Sequence, residues 1–160
     1  MTSPHAQNEI LKLFSESIIR SIVVKIQLSG QFSVMVDGTQ DASKKDQLSI
    51  CVRYVDANFI PHEEFIGLYE PPNTKDVTLA KFITDVLLRL QLPLSMLRGQ
   101  CYDGASNMAG EYRGCQAIIS QAQPLALYVH CGAHCVNLVS QAVCEECPLI
   151  RNALNVVNEL

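Results

Sequence analysis

Apolar residues recur at helical spacing in the first part of the chain and at strand spacing in the part that follows. From Gln7 to Gln27, isoleucine, leucine and phenylalanine lie three or four positions apart, which predicts a helix that Gly30 ends. Three runs typical of strands follow, joined by polar connections: Phe32 to Val36, Gln47 to Asp56 and Phe59 to Tyr69. The polar stretch between the first two runs, 37–46, is expected to be a loop. Strands connected in this way should form an antiparallel meander.

Helices and strands alternate in the second half of the chain. The pattern predicts a helix over Thr74 to Leu90, a strand over Leu94 to Tyr102, a helix over Gly114 to Ala122, a strand over Leu125 to Val129, a helix over His134 to Cys144, and a last helix that Pro148 opens and that continues to Leu160. The resulting order, β-β-β-α-β-α-β-α, indicates an α/β fold with a mixed sheet and helices on both of its faces. This is the order of the ribonuclease H-like fold, in which the first and fourth strands are neighbours.

Two aspartates follow the first and fourth of these strands. Asp37 precedes Gly38 at the end of the first strand, and Asp103 precedes Gly104 at the end of the fourth. Asp-Gly is a common turn dipeptide, so either residue alone is explained by a turn. Since the two strands are neighbours in this fold, both carboxylates should meet at one sheet edge, where they could share a divalent cation for phosphoryl chemistry.

Composition narrows the class of protein. The 160 residues fit one domain or a large piece of one, and a hydrophobic fraction of 48% is sufficient for a core. The net charge of −4 argues against a surface that holds nucleic acid unaided. No apolar run is long enough to span a bilayer, and the first residues do not form a signal peptide. Seven cysteines, an odd number, favour reduced thiols in the cytosol or nucleus.

Three short motifs resemble those of a known family. Val36-Asp37-Gly38-Thr39, the run Gln100 to Met108 that contains Asp-Gly-Ala-Ser-Asn-Met, and the run His130 to Leu138 that contains Cys-x-x-His occur in this order in hAT-superfamily transposases. The chain is most similar to the transposase-derived region of MYM-type zinc-finger proteins. The similarity extends from about Phe32 to the end of the sequence.

The resemblance implies a catalytic core that cuts and joins DNA at an Asp-Asp-Glu metal site. Asp37 and Asp103 would be the first two acids and would bind Mg²⁺ or Mn²⁺. Asn107 would help to shape the site, and Cys131 and His134 match the Cys-x-x-His motif beside it. The resemblance also implies a nuclear protein that reaches DNA through other segments or subunits and forms a homo-oligomer when complete.

The sequence departs from the family pattern at the third acid of the Asp-Asp-Glu site. In the family that acid follows a large helical insertion, and Glu159 falls too early to take its place. We therefore expect an N-terminal helical segment, 1–30, followed by a partial ribonuclease H-like core, 31–160, that lacks its C-terminal part. Such a core would be inactive alone. The alternative is a domesticated, non-catalytic module for interaction or dimerisation.

Other residues admit competing interpretations. Cys131 and His134, followed by Cys144 and Cys147, could form a zinc site, but one helix between the pairs would hold them about 15 Å apart. His134 could instead contact a DNA phosphate, support a carboxylate or fill a core position. Arg113 could position DNA or form a surface ion pair. Lys44 and Lys45 could follow a phosphate backbone, although a solvated loop explains them as well.

Overall fold

The computed structural model describes residues 3–40 and 42–158 of the chain. The helices are α1 (Pro4–Ser29), α2 (Asp76–Arg89), α3 (Ser106–Ala109), α4 (Cys115–Ala122), α5 (Gly132–Glu146) and α6 (Pro148–Asn158), and a 3-10 turn spans Leu94–Met96. The strands are β1 (Phe32–Gln40), β2 (Asp46–Val55), β3 (Pro61–Tyr69), β4 (Leu97–Tyr102) and β5 (Leu127–His130). None of the described helices is long and apolar enough to cross a membrane.

The five strands form one mixed sheet in the order β3-β2-β1-β4-β5. The first three strands pair antiparallel, whereas β4 pairs parallel with β1 and β5 pairs parallel with β4. The predicted meander, the βαβ units and the adjacency of the first and fourth strands are confirmed. The chain therefore has the α/β, ribonuclease H-like architecture that its element order predicts.

Local signals fix the two ends of α1. Ser3 caps the first turn, since its Oγ accepts the Ala6 N–H at 3.3 Å, and Pro4 occupies the first helical position. Gly30 ends the helix with a φ of 75°, and its N–H reaches the carbonyl oxygens of Ile26 and Gln27. The predicted helix and its glycine stop are both confirmed.

The expectation of a loop at 37–46 is wrong for residues 37–40 and Asp46, which belong to strands, whereas the described residues 42–45 form the connection. β1 continues through Asp37 to Gln40, and β2 begins at Asp46, because the polar residues of this stretch pair through their backbones. Gln40 opposes Asp46, and the Gln40 amide donates to the Asp46 carboxylate at 3.0 Å. Asp37 consequently lies within β1 and opposes Ser49, rather than following the strand.

One face of the sheet carries the hydrophobic core. Alternate residues of β1 and β2, such as Val34 and Ile50, are buried in one cluster with Ile83 of α2 and Ile119 of α4. Ile22 and Ile26 bring the second half of α1 into the same cluster. On the other face, Phe65, Leu127 and Val129 are 56%, 69% and 60% exposed. The expectation of helices on both faces is therefore wrong for the part of the chain that the structure describes, because α5 and α6 contribute no buried residue.

Candidate functional site

Asp37 and Asp103 occupy equivalent positions on neighbouring strands. The parallel pairing of β1 with β4 ends at Met35 and Cys101. Each aspartate comes two residues after that last pair, and side chains two residues apart on a strand share a face. The topology thus brings both acids to the same edge of the sheet, although Asp37 is still paired with β2 there whereas Asp103 has entered a turn.

The Asp103 turn is held by its own hydrogen bonds. Asp103 Oδ1 accepts the Ala105 N–H at 3.2 Å, and the Asp103 carbonyl oxygen accepts the Tyr128 hydroxyl at 3.3 Å. The first bond is typical of an aspartate that stabilises a turn through its side chain. One carboxylate oxygen of Asp103 is therefore engaged within the turn, and the backbone is anchored to β5.

The rings of two histidines, His130 and His134, lie against this turn at Gly104. His130 ends β5 directly opposite Tyr102, and its ring stacks on that of His134 with centroids 5.2 Å apart. A Cβ atom on Gly104 would lie 3.1 Å from His130 Cε1, a tight contact that the imidazole would have to relieve by a small shift. His130 Nε2 is buried without a hydrogen-bond partner. His130 is a site residue that the sequence motifs did not single out, and its signal was a polar residue at the end of the strand that adjoins Asp103.

Asn107 connects the turn to the loop that precedes α2. Its Nδ2 donates to the Thr74 carbonyl oxygen at 2.8 Å, across 33 positions of the sequence. Asn107 and Asp103 both line a cavity of about 280 Å³ that Gly38 and Thr39 of β1 also border, whereas Asp37 does not line it. The structure therefore brings Asp103 and Asn107 together at one cavity and leaves Asp37 on its outside.

The two residues of the Cys-x-x-His motif, Cys131 and His134, make separate contacts. Cys131 begins α5, its N–H donates to the Tyr102 carbonyl at 2.8 Å, and its thiol contacts that of Cys101. Burial raises the pKa of the Cys101 thiol, and the Cys131 thiol raises that pKa further. His134 faces His130 and Gly104 instead. The two motif residues thus support the sheet edge in different ways.

The proposed zinc ligands are spread along one helix. α5 runs without interruption from Gly132 to Glu146, with His134 in its first turn and Cys144 in its last, and Cys147 follows it directly. Cys144 follows His134 by ten positions, which corresponds to about 15 Å at 1.5 Å per residue. A single zinc ion cannot bridge that distance at the ligand distances of about 2.0–2.3 Å that zinc requires.

The donor set for a divalent cation consists of the two acids. Carboxylate oxygens suit Mg²⁺ and Mn²⁺, and Asp103 has one oxygen that its turn does not use. Within residues 3–40 and 42–158, no group of three or more His, Cys, Asp or Glu side chains is placed to hold a metal ion. Glu159 lies outside the described residues. The described residues therefore do not form a closed metal site.

The basic side chains near the edge differ in their surroundings. Lys45 forms an ion pair with Glu70 at 3.1 Å, and Lys44 occupies the hairpin turn with a φ of 62°. Arg113 is exposed in the turn between α3 and α4. Arg98 donates to the carbonyl oxygens of Ser95 and Leu97, at the opposite end of β4 from Asp103.

Comparisons with known proteins agree with this architecture. The family model described as "ZMYM1/FAM200, RNase-like domain" matches residues 1–114. The human protein named "52 kDa repressor of the inhibitor of the protein kinase" is 24% identical over 132 residues, which are 82% of this chain and 17% of that protein. The mouse protein of the same name is also 24% identical, over 131 residues that make up the same shares. The chain thus spans about a sixth of the length of these relatives, and it belongs to the ZMYM1/FAM200 RNase-like domain family.

Proposed function

We propose that this domain descends from the catalytic core of a hAT-type transposase and now serves as a non-catalytic module of a nuclear regulatory protein. The family membership and the three motifs around Asp37, Asp103 and Cys131 support the descent. The name of the human and mouse relatives, which calls each a repressor, supports a regulatory role.

The main support for a non-catalytic role is that the Asp103 carboxylate is hydrogen-bonded within its own turn. Metal-dependent strand transfer needs several carboxylate oxygens that point at the same ions. Asp103 directs one oxygen to Ala105 within its own turn, and Asp37 does not line the cavity that Asp103 borders. Contacts with Tyr128, His130 and His134 hold the turn in place. In this proposal, the ancestral active-site residues at this sheet edge now serve to stabilise the fold.

Nucleic acid would reach the complete protein through other segments or subunits. The formal net charge of this chain is −4, and binding to DNA phosphates depends on clustered lysine and arginine. We expect the isolated domain to give no shift of a duplex in an electrophoretic assay at physiological salt. A salt-dependent shift would contradict this part of the proposal.

The decisive test is DNA cleavage. Supercoiled plasmid is incubated with the chain and Mg²⁺ or Mn²⁺, beside a variant that combines Asp37→Asn with Asp103→Asn. Asp85→Asn serves as the matched control, since Asp85 is an exposed acid of α2 paired with Arg89. We expect all three proteins to leave the plasmid equally intact. Nicking that the double variant loses and the control retains would overturn the proposal and make the domain a catalytic core.

A second experiment examines the regulatory role. The domain is fused to a heterologous DNA-binding domain and its effect on a nuclear reporter gene is measured. We expect a change in transcription that the Asp37→Asn and Asp103→Asn double variant reproduces in full, because the function does not use the carboxylates. A fusion that leaves the reporter unchanged would count against a regulatory module.

A further inference from the structure

Two cysteine side chains from different elements meet near the end of β4. Cys101 lies in β4 and Cys131 directly precedes α5, 30 positions later in the sequence, yet the two thiols contact each other. Both are free thiols, and both are half-buried. Neither belongs to the hydrophobic core cluster, which includes Cys115. Packing of the core therefore does not explain why these two thiols lie side by side.

The backbone of the sheet edge brings the two thiols together. β4 pairs parallel with β5, and Cys101 lies opposite Val129. Cys131 comes two positions after Val129, and residues two apart along a strand share a face. The Cys131 N–H donates to the Tyr102 carbonyl oxygen at 2.8 Å, which continues the pairing one step beyond β5. Cys101 and Cys131 are therefore diagonal neighbours on the open face of the sheet, where Val129 is 60% exposed.

The start of α5 leaves room for a covalent bond between the two sulfur atoms. The Cα atoms of diagonal neighbours lie about 7–8 Å apart, whereas those of a disulfide usually lie about 4.4–6.8 Å apart. A displacement of about 1 Å at Cys131 would close that difference. α5, all of whose residues the structure describes, contributes no buried side chain. Its first turn can therefore move towards β4 without loss of core packing.

Two other cysteines lie too far away to compete for these thiols. Cys51 is in the same row of the sheet as Cys101, but Met35 of β1 lies between them and pairs with both. Two strand spacings put Cys51 and Cys101 about 10 Å apart, beyond the reach of a disulfide. Cys144 lies in the last turn of α5, about 20 Å along the helix from Cys131 at 1.5 Å per residue.

Cys135 is the other candidate partner of Cys101. It lies one turn along α5 from Cys131, whose carbonyl oxygen accepts the Cys135 N–H at 3.0 Å, and its side chain is exposed. The Cys135 thiol raises the pKa of the Cys101 thiol less than the Cys131 thiol does, as expected of a more distant group. Cys131 is therefore the closer partner of Cys101, and Cys135 is the natural control.

We propose that Cys101 and Cys131 form an oxidative modification site, at which a peroxide converts the two contacting thiols into a disulfide that ties the start of α5 to β4. In a reducing compartment the thiols stay free, as they are in the structure, and the disulfide forms when peroxide rises. The inference goes beyond the proposed function, because neither Asp37 nor Asp103 takes part in it.

The oxidation proceeds in two balanced steps. One thiolate attacks the peroxide, the O–O bond breaks, and the sulfur becomes a sulfenic acid while the hydroxide that leaves takes up the thiol proton as water. The sulfur of the other cysteine then attacks the sulfenic sulfur. The S–S bond forms, and the S–O bond breaks with loss of a second water. The two thiols together lose two electrons and two protons, and hydrogen peroxide is reduced to water.

The test is peptide mapping of the folded chain after treatment with hydrogen peroxide. Free thiols are blocked with N-ethylmaleimide, and the unreduced protein is digested with trypsin. Cleavage at Arg98, Arg113 and Arg151 gives one peptide whose sole cysteine is Cys101 and a second peptide that carries Cys131. We expect the two peptides to be joined, lighter by two hydrogen atoms than their sum, with fragmentation placing the bond at Cys131. Dithiothreitol should separate them.

Two serine variants four positions apart separate the candidate partners. Cys131→Ser should abolish the joined peptide, whereas Cys135→Ser, the matched control, should leave its yield at the wild-type level. The Asp37→Asn and Asp103→Asn double variant should form the disulfide as readily as the wild type. Failure of this inference and failure of the proposed function are therefore distinguishable.

Three outcomes would overturn the proposal. Cys101 and Cys131 could both remain free thiols at a peroxide dose that already oxidises the exposed Cys135. The joined peptide could persist in Cys131→Ser, or disappear in Cys135→Ser, which would give Cys101 a different partner. The bond could also join two chains, which the mass of the intact unreduced protein would reveal.

Discussion

Gly114 donates its backbone N–H to the carbonyl oxygen of Gly110 at 3.0 Å, and a Cβ atom on Gly114 would collide with the backbone of Gly110. A Cβ atom on Gly114 would lie 2.7 Å from the Gly110 oxygen and 2.8 Å from its Cα. Gly114 has an ordinary φ of −61°, so this glycine is required by close approach and not by backbone conformation. The contact closes the turn that joins α3, with Asn107, to α4.

Gly114→Ala should therefore destabilise the domain strongly. The added methyl group would meet backbone atoms, which cannot move aside as a side chain can, and overpacking of this kind typically costs about 1–3 kcal/mol of unfolding free energy. We expect a loss at the upper end of that range in urea unfolding monitored by circular dichroism. Gly132→Ala is the control, since nothing lies within 4 Å of its Cβ position at the start of α5. Equal effects of the two changes would contradict the steric explanation.

The carboxylate pair should bind Mn²⁺ weakly. Two ligands, one of them partly engaged with Ala105, leave most of the coordination shell to water, so we expect a dissociation constant of about 1 mM, in the range of weak carboxylate sites. The measurement is the loss of free Mn²⁺ signal in electron paramagnetic resonance. Asp37→Asn and Asp103→Asn should each weaken binding several-fold, whereas Asp85→Asn should not. Binding that neither change affects would place the ion elsewhere.

Local patterns were sufficient to predict the order of the elements and the neighbours in the sheet. Gly30, Pro93 and Pro124 end elements through their own backbone properties, and connection lengths then restrict the topology. The extent of the β1–β2 hairpin could not be predicted in this way, because Thr39, Gln40 and Gln47 are polar and pair through backbone groups that every residue possesses.

The surroundings of the candidate site depended on contacts between distant parts of the chain. The pairing of Asn107 with Thr74 joins positions 33 apart, and the contact of Gly104 with His130 and His134 requires β4 and β5 to be adjacent. Periodicity does not report such contacts. It also did not reveal that one sheet face is open, since residues such as Leu127 and Val129 are apolar whether or not a helix covers them.

Cys115 should resist alkylation in the folded protein. Burial raises the pKa of its thiol to about 12, although the nearby Tyr102 hydroxyl acts in the opposite direction. At pH 8 about one molecule in 10⁴ would then carry the reactive thiolate, and the side chain has no exposed surface. Cys135 is exposed and should react readily. Iodoacetamide labelling with peptide mass spectrometry measures the alkylation rates of both cysteines. In urea, Cys115 and Cys135 should react at the same rate. Modification of Cys115 at the rate of Cys135 before unfolding would disprove its burial.

Asp56 should make stability depend on pH in the acid range. The hydrogen bond from His62 lowers the pKa of this carboxyl below its ordinary value of 3.8, and the backbone N–H groups of Ile60 and Asn58 lower it further. A carboxyl with a depressed folded-state pKa contributes stability above its unfolded value, and that contribution is lost as the pH falls through the folded value. Urea unfolding should therefore show a steeper loss below about pH 4 for the wild type than for Asp56→Asn, which cannot titrate.

The His62 side chain should account for most of this pKa shift. In carbon-detected titration, His62→Ala should raise the Asp56 pKa towards 3.8, since the change removes the largest cause of its depression. An Asp56 pKa that this change leaves in place would show that the histidine does not stabilise the carboxylate.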